Sequence, residues 1–227
     1  MTGRPGGTGA RSSYHHGDLR AALVDAALEL TRSGGPAALT LREATRRVGV
    51  SPNAAYRHFG DRDALVGAAA AVIGQKMARR MQPRSNATAG SEPAGRDPGA
   101  VAVGRLHAVG LGYIRFALDE PGWFSTAFFG TEHDPAQAPT VAAASSGPKP
   151  YQLLVEALDR LVEVGVLSPE RRADAEWPCF AAVHGFAELA LHGPLRRHSR
   201  ADLNRLAVRT VTDAVTGVLG EQAHWDA

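Results

Sequence analysis

The sequence predicts an all-α protein of about nine helices. Apolar residues return every three or four positions along most of the chain, and helix-capping residues punctuate those stretches. No segment alternates apolar and polar residues as a half-buried strand would, and no repeat of fixed period is present. With 227 residues, 44% of them hydrophobic, the chain is long enough to bury a substantial core.

Residues 1–16 hold Gly, Ser, Arg and His without apolar periodicity, which predicts a disordered basic arm ending in Tyr14-His15-His16. Such an arm either reaches DNA phosphates, for which Arg4 and Arg11 are suited, or is merely solvated. From Asp18, the spacing Leu19, Leu23, Ala26/Ala27 and Leu30 marks one face of a first helix, and Ser33-Gly34-Gly35-Pro36 ends it.

The stretch Thr40 to Phe59 predicts two short helices across a sharp turn. Thr40 and Glu43 have the spacing of a capping box, in which each side chain satisfies a backbone N–H that the first turn leaves unpaired. A helix therefore starts at Leu41, and Gly49 supplies the positive φ that ends it. Ser51-Pro52 then offers an N-cap and a first residue with preset φ, so a second helix follows almost without a loop. Two helices this close cross steeply, the geometry of a helix-turn-helix that pushes its second helix toward the major groove of DNA.

Gly60 breaks the chain and Asp61 caps a long helix through Met81, with Leu65, Ala69, Val72 and Met77 on one face. Residues 82–99 are rich in Pro, Gly, Ser and Ala, a loop and the best boundary between a unit at 17–81 and one at 100–227. Val101 to Leu118 is helical again, and Trp123 to Gly130 forms a short aromatic helix. Thr131 to Pro150 is a second loop, and Tyr151 to Val164 is amphipathic through Leu154, Leu158 and Leu161. Ser168-Pro169 opens a helix running to Gly193-Pro194, in which Pro178 either kinks the helix or marks its effective start. Ser199 opens the last helix, with Leu203, Leu206, Val211, Ala214, Val215 and Val218, closed by Gly220.

Charge is uneven. Residues 1–81 carry 12 Lys/Arg against 6 Asp/Glu, a net +6, and the remainder 13 against 17, a net −4. That asymmetry suits a phosphate-facing module joined to a body with another task. Apolar runs such as Ala68 to Ile73 fall short of the roughly 20 residues needed to cross a bilayer, and Met1 to Ser13 is too polar for a signal peptide, so the expected location is the cytoplasm, with no membrane partner. Cys179, the single cysteine, reads as a buried thiol. No catalytic constellation and no Gly-rich phosphate loop before a strand are present, which argues against an enzyme and calls for no cofactor.

Residues 17–81 resemble the N-terminal domain of TetR/AcrR transcriptional regulators, through Thr40-Leu41-Arg42-Glu43, Gly49-Val50-Ser51, Ala55-Tyr56-Arg57-His58-Phe59 and Asp61-Arg62-Asp63-Ala64-Leu65. Ala182-Val183-His184-Gly185-Phe186 and Tyr14-His15-His16-Gly17-Asp18-Leu19 are similar to the WHG-type branch of that family. The resemblance implies an all-helical homodimer whose heads enter successive major grooves of a palindromic double-stranded operator, while the C-terminal domain dimerises and binds a small-molecule effector. Two positions depart from the pattern. Thr45 replaces the usual Ala, to be accommodated by repacking or by a hydroxyl bond back to a carbonyl. Phe180 stands where the branch often has Trp, with Trp177 nearly a turn earlier.

The resemblance implies a phosphate contact for Tyr56 and an anion site at Arg62, which occupies the usual lysine position at the start of the fourth helix. Thr40 and Arg42 are candidates for backbone contacts. Base reading falls to Pro52, Asn53 and Ala54 behind the Ser51 cap, with Asn53 suited to adenine and the apolar pair to a thymine methyl. Arg57 and His58 either contact DNA or are solvated. The effector would be lined by His107, Tyr113, Phe116, Trp123, Phe124, Phe128, Phe180 and His184, although aromatics at helical spacing also serve as plain core. Dimerisation would use Gly185, Ala187, Ala190, Leu203, Val211 and Val218 on the last two helices. The expected function is a repressor, or less often an activator, released from its operator by ligand. Its alternatives are a metal-responsive regulator using His184, Glu188 and His192 at i, i+4 and i+8, or a helical interaction protein without ligand control.

Overall fold

A computed structural model describes residues 19–82, 97–130 and 149–220, and these form ten α-helices with no strand among them. They are α1 (Leu19–Gly34), α2 (Leu41–Val48), α3 (Pro52–Tyr56), α4 (Arg62–Met81), α5 (Pro98–Asp119), α6 (Pro121–Phe129), α7 (Pro150–Glu163), α8 (Pro169–Arg172), α9 (Glu176–Leu191) and α10 (Arg200–Leu219). The arm at 1–16 and most of the two expected loops lie outside the described residues.

Local chemistry sets most boundaries where the sequence puts them. The Asp61 carboxylate accepts from Ala64 N–H at 2.7 Å and starts α4, and the Ser199 hydroxyl oxygen accepts from Asp202 N–H at 3.1 Å and starts α10. Elsewhere the structure moves a boundary or decides between two readings of it. The helix expected from Pro169 to Gly193 is divided in two, because Asp174 adopts φ 57° between α8 and α9. Aspartate tolerates that left-handed conformation better than most residues. Pro178 is the third residue of α9, where a backbone N–H would have no partner in any case, so it marks a helix start and not a kink. Finally, α5 begins at Pro98 and not at Val101, since the Asp97 carboxylate accepts from Gly99 and Ala100 N–H.

Helix α5 is also the one described helix long and apolar enough to cross a membrane, contrary to the reading of short apolar runs. It is the central helix of a bundle and packs against α4, α6, α7, α9 and α10. A single apolar cluster runs from Leu23, Leu39, Ala55, Phe59 and Leu65 at the N-terminal end to Ile114, Phe124, Leu158 and Leu161 in the body. Burying each Leu of that cluster stabilises the fold by about 1.5–3 kcal/mol.

The N-terminal head, α1 to α3 with the start of α4, is fastened to the body at both ends of α6. At its N-terminal end, Gly122 lies against the carbonyls of Thr31 and Arg32 so closely that a Cβ would meet the Thr31 oxygen at 2.3 Å. Beside it, the Arg32 guanidinium donates two hydrogen bonds of 2.7 Å to the buried Glu120 carboxylate. Trp123 Nε1–H donates to Leu28 O at 2.8 Å, and the indole lies under both Arg32 and Lys76, at 5.0 and 5.3 Å from its ring centre. At the C-terminal end of α6, Arg62 donates to Gly130 O at 3.1 Å.

Candidate nucleic-acid interface and an apolar cavity

Helices α2 and α3 are joined by three residues. Gly49 has φ 78°, and the N–H groups of Gly49 and Val50 both return to Thr45 O, which closes α2. Thr40 Oγ1 accepts from Glu43 N–H at 3.1 Å, but the reciprocal half of the expected capping box is absent. The Glu43 carboxylate turns instead to Arg46, which donates two bonds to it and holds it below the usual carboxylate range. Thr45, the departure from the family pattern, is fully buried, and its hydroxyl donates to Arg42 O at 2.9 Å, the second of the two accommodations expected.

Helix α3 buries one face and offers the other. Ala55 is fully buried and Phe59 nearly so, with Arg20 lying over the Phe59 ring. The expected second helix to Phe59 ends as α-helix at Tyr56, and the N–H groups of His58 and Phe59 both turn back to Ala55 O. Ser51, Pro52, Asn53 and Arg57 are exposed, Tyr56 is 55% exposed, and Ala54 and His58 are half-buried. The Ser51 side chain makes no capping bond, contrary to expectation, which leaves its hydroxyl available. Thr40 and Arg42 are exposed as well. Among the described residues, Arg42 and Arg57 make no ion pair, whereas Arg46 is held by Glu43 and Arg47 by Glu29.

Arg62 departs from its expected role. Its guanidinium donates to Pro36 O at 2.7 Å, Leu39 O at 2.9 Å and Gly130 O, and pairs with Asp63. Its donors are therefore directed to the protein's own carbonyls, and the side chain braces the turn before α2 against α4 and α6.

In the body, a cavity enclosing about 560 Å³, including the space at its open mouth, lies among α5, α7, α9 and α10. Leu106, Val109, Gly110 and Tyr113 line it from α5, at one-face spacing. Pro150, Tyr151 and Leu154 come from α7, while Cys179, Phe180 and Val183 come from α9. Val211, Ala214 and Val215 of α10 complete the wall, together with Met81 from the end of α4 and Phe128 from α6.

Tyr113, Phe128 and Phe180 are thus the expected effector residues that line this cavity, and the other five do not. Phe116 and Phe124 are core, at 1% and 0% exposure. Trp123 serves the head–body junction, His107 is half-buried on α5 away from the wall, and His184 lies behind it. The His184 ring stacks on Phe180 at 5.2 Å, with Phe128 at 5.0 Å, and Nδ1 is 2.8 Å from the Tyr113 hydroxyl. Burial holds the imidazole below its ordinary range, against the opposing pull of Glu188, and pushes the Tyr113 phenol up. Both groups are then neutral at pH 7. The phenol and Nδ1 share one hydrogen bond, whose direction follows the imidazole tautomer.

Two further expectations are corrected. His184 faces the aromatic cluster and Tyr113, while His192 pairs with Glu188 at 3.0 Å, so the i, i+4, i+8 set does not converge on a metal. No group of three or more His, Cys, Asp or Glu side chains among the described residues is placed to hold one. Of the residues expected at a dimer interface, Ala187, Ala190, Leu203, Val211 and Val218 are buried in this chain's own core, because α9 and α10 pack on each other and on α5. Gly185 is half-buried, and the large apolar side chains that these two helices leave exposed include Leu189 and Val208.

Comparison with known proteins gives consistent results in both halves. The model of the bacterial regulatory proteins of the tetR family matches residues 23–69, and that of the tetracyclin repressor-like C-terminal domain matches residues 106–214. Together they span more than two thirds of the chain. The HTH-type transcriptional repressor Rv3405c of Mycobacterium tuberculosis is 35% identical over 79 residues, which are 35% of this chain and 42% of that protein. The chain therefore spans less than half the length of the curated relatives it matches. Among solved structures, a protein of unknown function from Rhodococcus sp. RHA1 has a TM-score of 0.66 at 26% identity, covering 92% of this chain and 100% of that one. SCO7222, a TetR from Streptomyces coelicolor, has a TM-score of 0.57 at 18% identity, covering 88% and 97%, a likeness of fold.

Proposed function

We propose that this chain, which belongs to the TetR family of bacterial regulatory proteins, is a cytoplasmic, non-enzymatic transcriptional repressor that binds a palindromic operator as a homodimer and releases it when a small molecule enters the body. The observation that carries this reading is the asymmetry of α3. A helix whose back is locked by Ala55 and Phe59 holds Pro52, Asn53, Tyr56 and Arg57 out in solvent, next to Arg42, which has no ion-pair partner among the described residues, and the Ser51 hydroxyl, which makes no capping bond.

Phosphate contacts fix register and base contacts supply sequence. Arg42, Arg57 and the hydroxyls of Thr40, Ser51 and Tyr56 suit the first task. Asn53, near the start of the helix, suits bidentate pairing with adenine, and Pro52 and Ala54 suit a thymine methyl. Two such heads read half-sites about 34 Å apart. The exposed Leu189 and Val208 on α9 and α10 are the apolar anchors for pairing two copies.

Release follows from which helices meet the cavity. Met81 ends α4 and Phe128 belongs to α6, and these two helices also hold the head, through Arg62, Gly122 and Trp123. A ligand that separates Met81 from Phe128 acts on both fastenings. At 1.5 Å per residue α4 is about 30 Å long, so a small tilt at Met81 becomes a larger displacement at the head. Such a ligand works only to the extent that it favours one head spacing over the other.

Selection of bound DNA from a random pool tests the reading. The expected product is an inverted repeat, bound by a dimer that Leu189→Glu with Val208→Glu converts to monomers. Recovery of DNA without a shared sequence would overturn it.

A further inference from the structure

We propose that the cavity takes a neutral, largely apolar molecule, such as a long-chain alcohol or an uncharged aromatic compound, and excludes charged effectors. The inference rests on the reading that this cavity is the effector site and goes beyond it by naming the class of ligand.

Among the described residues, the wall carries no Asp, Glu, Lys, Arg or His. Its groups able to ionise are Tyr113, Tyr151 and Cys179, and each is held neutral. Burial raises both phenols, with Glu176 adding to the effect at Tyr151, and it pushes the Cys179 thiol up to about 11. A charged ligand would thus leave water for a wall whose described side chains carry no charge to pair with it directly, a burial that costs far more than apolar contact returns.

Hydrogen-bonding demand is equally low. The Tyr113 hydroxyl is 2.8 Å from His184 Nδ1, and the Tyr151 hydroxyl donates to Glu176 at 3.4 Å. With both hydroxyls engaged inside the protein, the wall asks for no polar partner. What it offers is contact area from Leu, Val, Met and Phe side chains, broadened where Gly110 and Ala214 withhold bulk. Specificity then comes from shape and neutrality, as in other small-molecule sites lined mainly by apolar side chains.

The test uses the full chain and the neutral fluorophore N-phenyl-1-naphthylamine, displaced by 1-decanol, decanoate or decylammonium at matched chain length. The expected result is one fluorophore per chain, displaced by decanol at a concentration at least about 30-fold lower than by either ion. Ala214→Phe and Leu154→Phe, each with an unchanged helical circular dichroism spectrum, should each abolish fluorophore binding. Equal displacement by an ion, no fluorophore binding, or binding that survives both filled cavities would overturn the proposal. Affinity for DNA selected from a random pool separates this inference from the broader reading. Neutral-selective binding that leaves DNA affinity unchanged sustains the ligand class and removes ligand release. Intact DNA binding without any fluorophore binding removes the ligand class and leaves the regulator.

Discussion

The exposed face of α3 and the cavity of the body handle polar groups in opposite ways. On α3 and at its two caps, Asn53, Tyr56, Ser51 and Arg57 face solvent beside a helix whose back is closed. On the described wall of the cavity, each group able to ionise is held neutral and each hydroxyl already has a protein partner. A surface that awaits a polyanion keeps donors in reserve, and a pocket that awaits an apolar molecule satisfies its own. The two meet in α4 and α6, which touch the cavity at Met81 and Phe128 and grip the head through polar contacts of Arg62 and Trp123 and the close approach of Gly122.

Substitutions in the two regions should therefore separate stability from recognition. The largest effect is expected at Phe124, fully buried behind the cavity, 5.8 Å from the Tyr113 ring and 4.8 Å from that of Phe128. Phe124→Ala should lower unfolding stability by about 3–5 kcal/mol in urea titration. A loss below about 1 kcal/mol would mean that this aromatic layer is loosely packed.

Arg62→Ala comes next. Because Arg62 holds three backbone carbonyls, its loss should lower stability by about 1–3 kcal/mol and leave the salt dependence of DNA binding unchanged. Arg42→Ala should do the reverse, sparing thermal stability and reducing the slope of log K against log salt by about one. If Arg62→Ala reduced the slope and Arg42→Ala did not, the assignment of brace and phosphate contact would be reversed.

The smallest effect concerns pH. His184 has a folded-state pKa below its ordinary value of 6.5, so the unfolded chain takes up a proton that the folded protein resists. Stability should decline as pH falls through 6.5, until the folded imidazole itself protonates. Thermal melting at pH 5.5 should lie below that at pH 7.5, and His184→Gln should narrow the gap. An unchanged gap would place the pH sensitivity elsewhere.

What the sequence made legible was local. Thr40, Gly49, Asp61 and Ser199 act within four residues of themselves, through a cap or a left-handed φ, and the helices they bound were readable from spacing alone. Arg62 was not, because its partners Pro36, Leu39 and Gly130 lie up to 68 residues away and are main-chain carbonyls, which no side-chain pattern marks. The cavity was legible only in part. Leu106, Val109, Gly110 and Tyr113 share a helical face, but which face of α5 meets which face of α9 and α10 is decided by packing across the bundle. Aromatic side chains drew notice as ligand contacts, yet Phe116 and Phe124 had to be buried to close the core beneath Tyr113. Small apolar residues on α9 and α10 announced close packing without saying whether the neighbour was the same chain or a second copy.

The claim that the exposed face of α3 reads DNA sequence is tested most directly by measuring the affinities of the protein and of Asn53→Ala for selected and scrambled DNA at one fixed salt concentration. Asn53→Ala should fold normally, lose about 1–3 kcal/mol of discrimination between the two DNAs at each half-site, and keep its affinity for scrambled DNA. Discrimination unchanged by Asn53→Ala, or equal affinity of the unaltered protein for both DNAs, would contradict it.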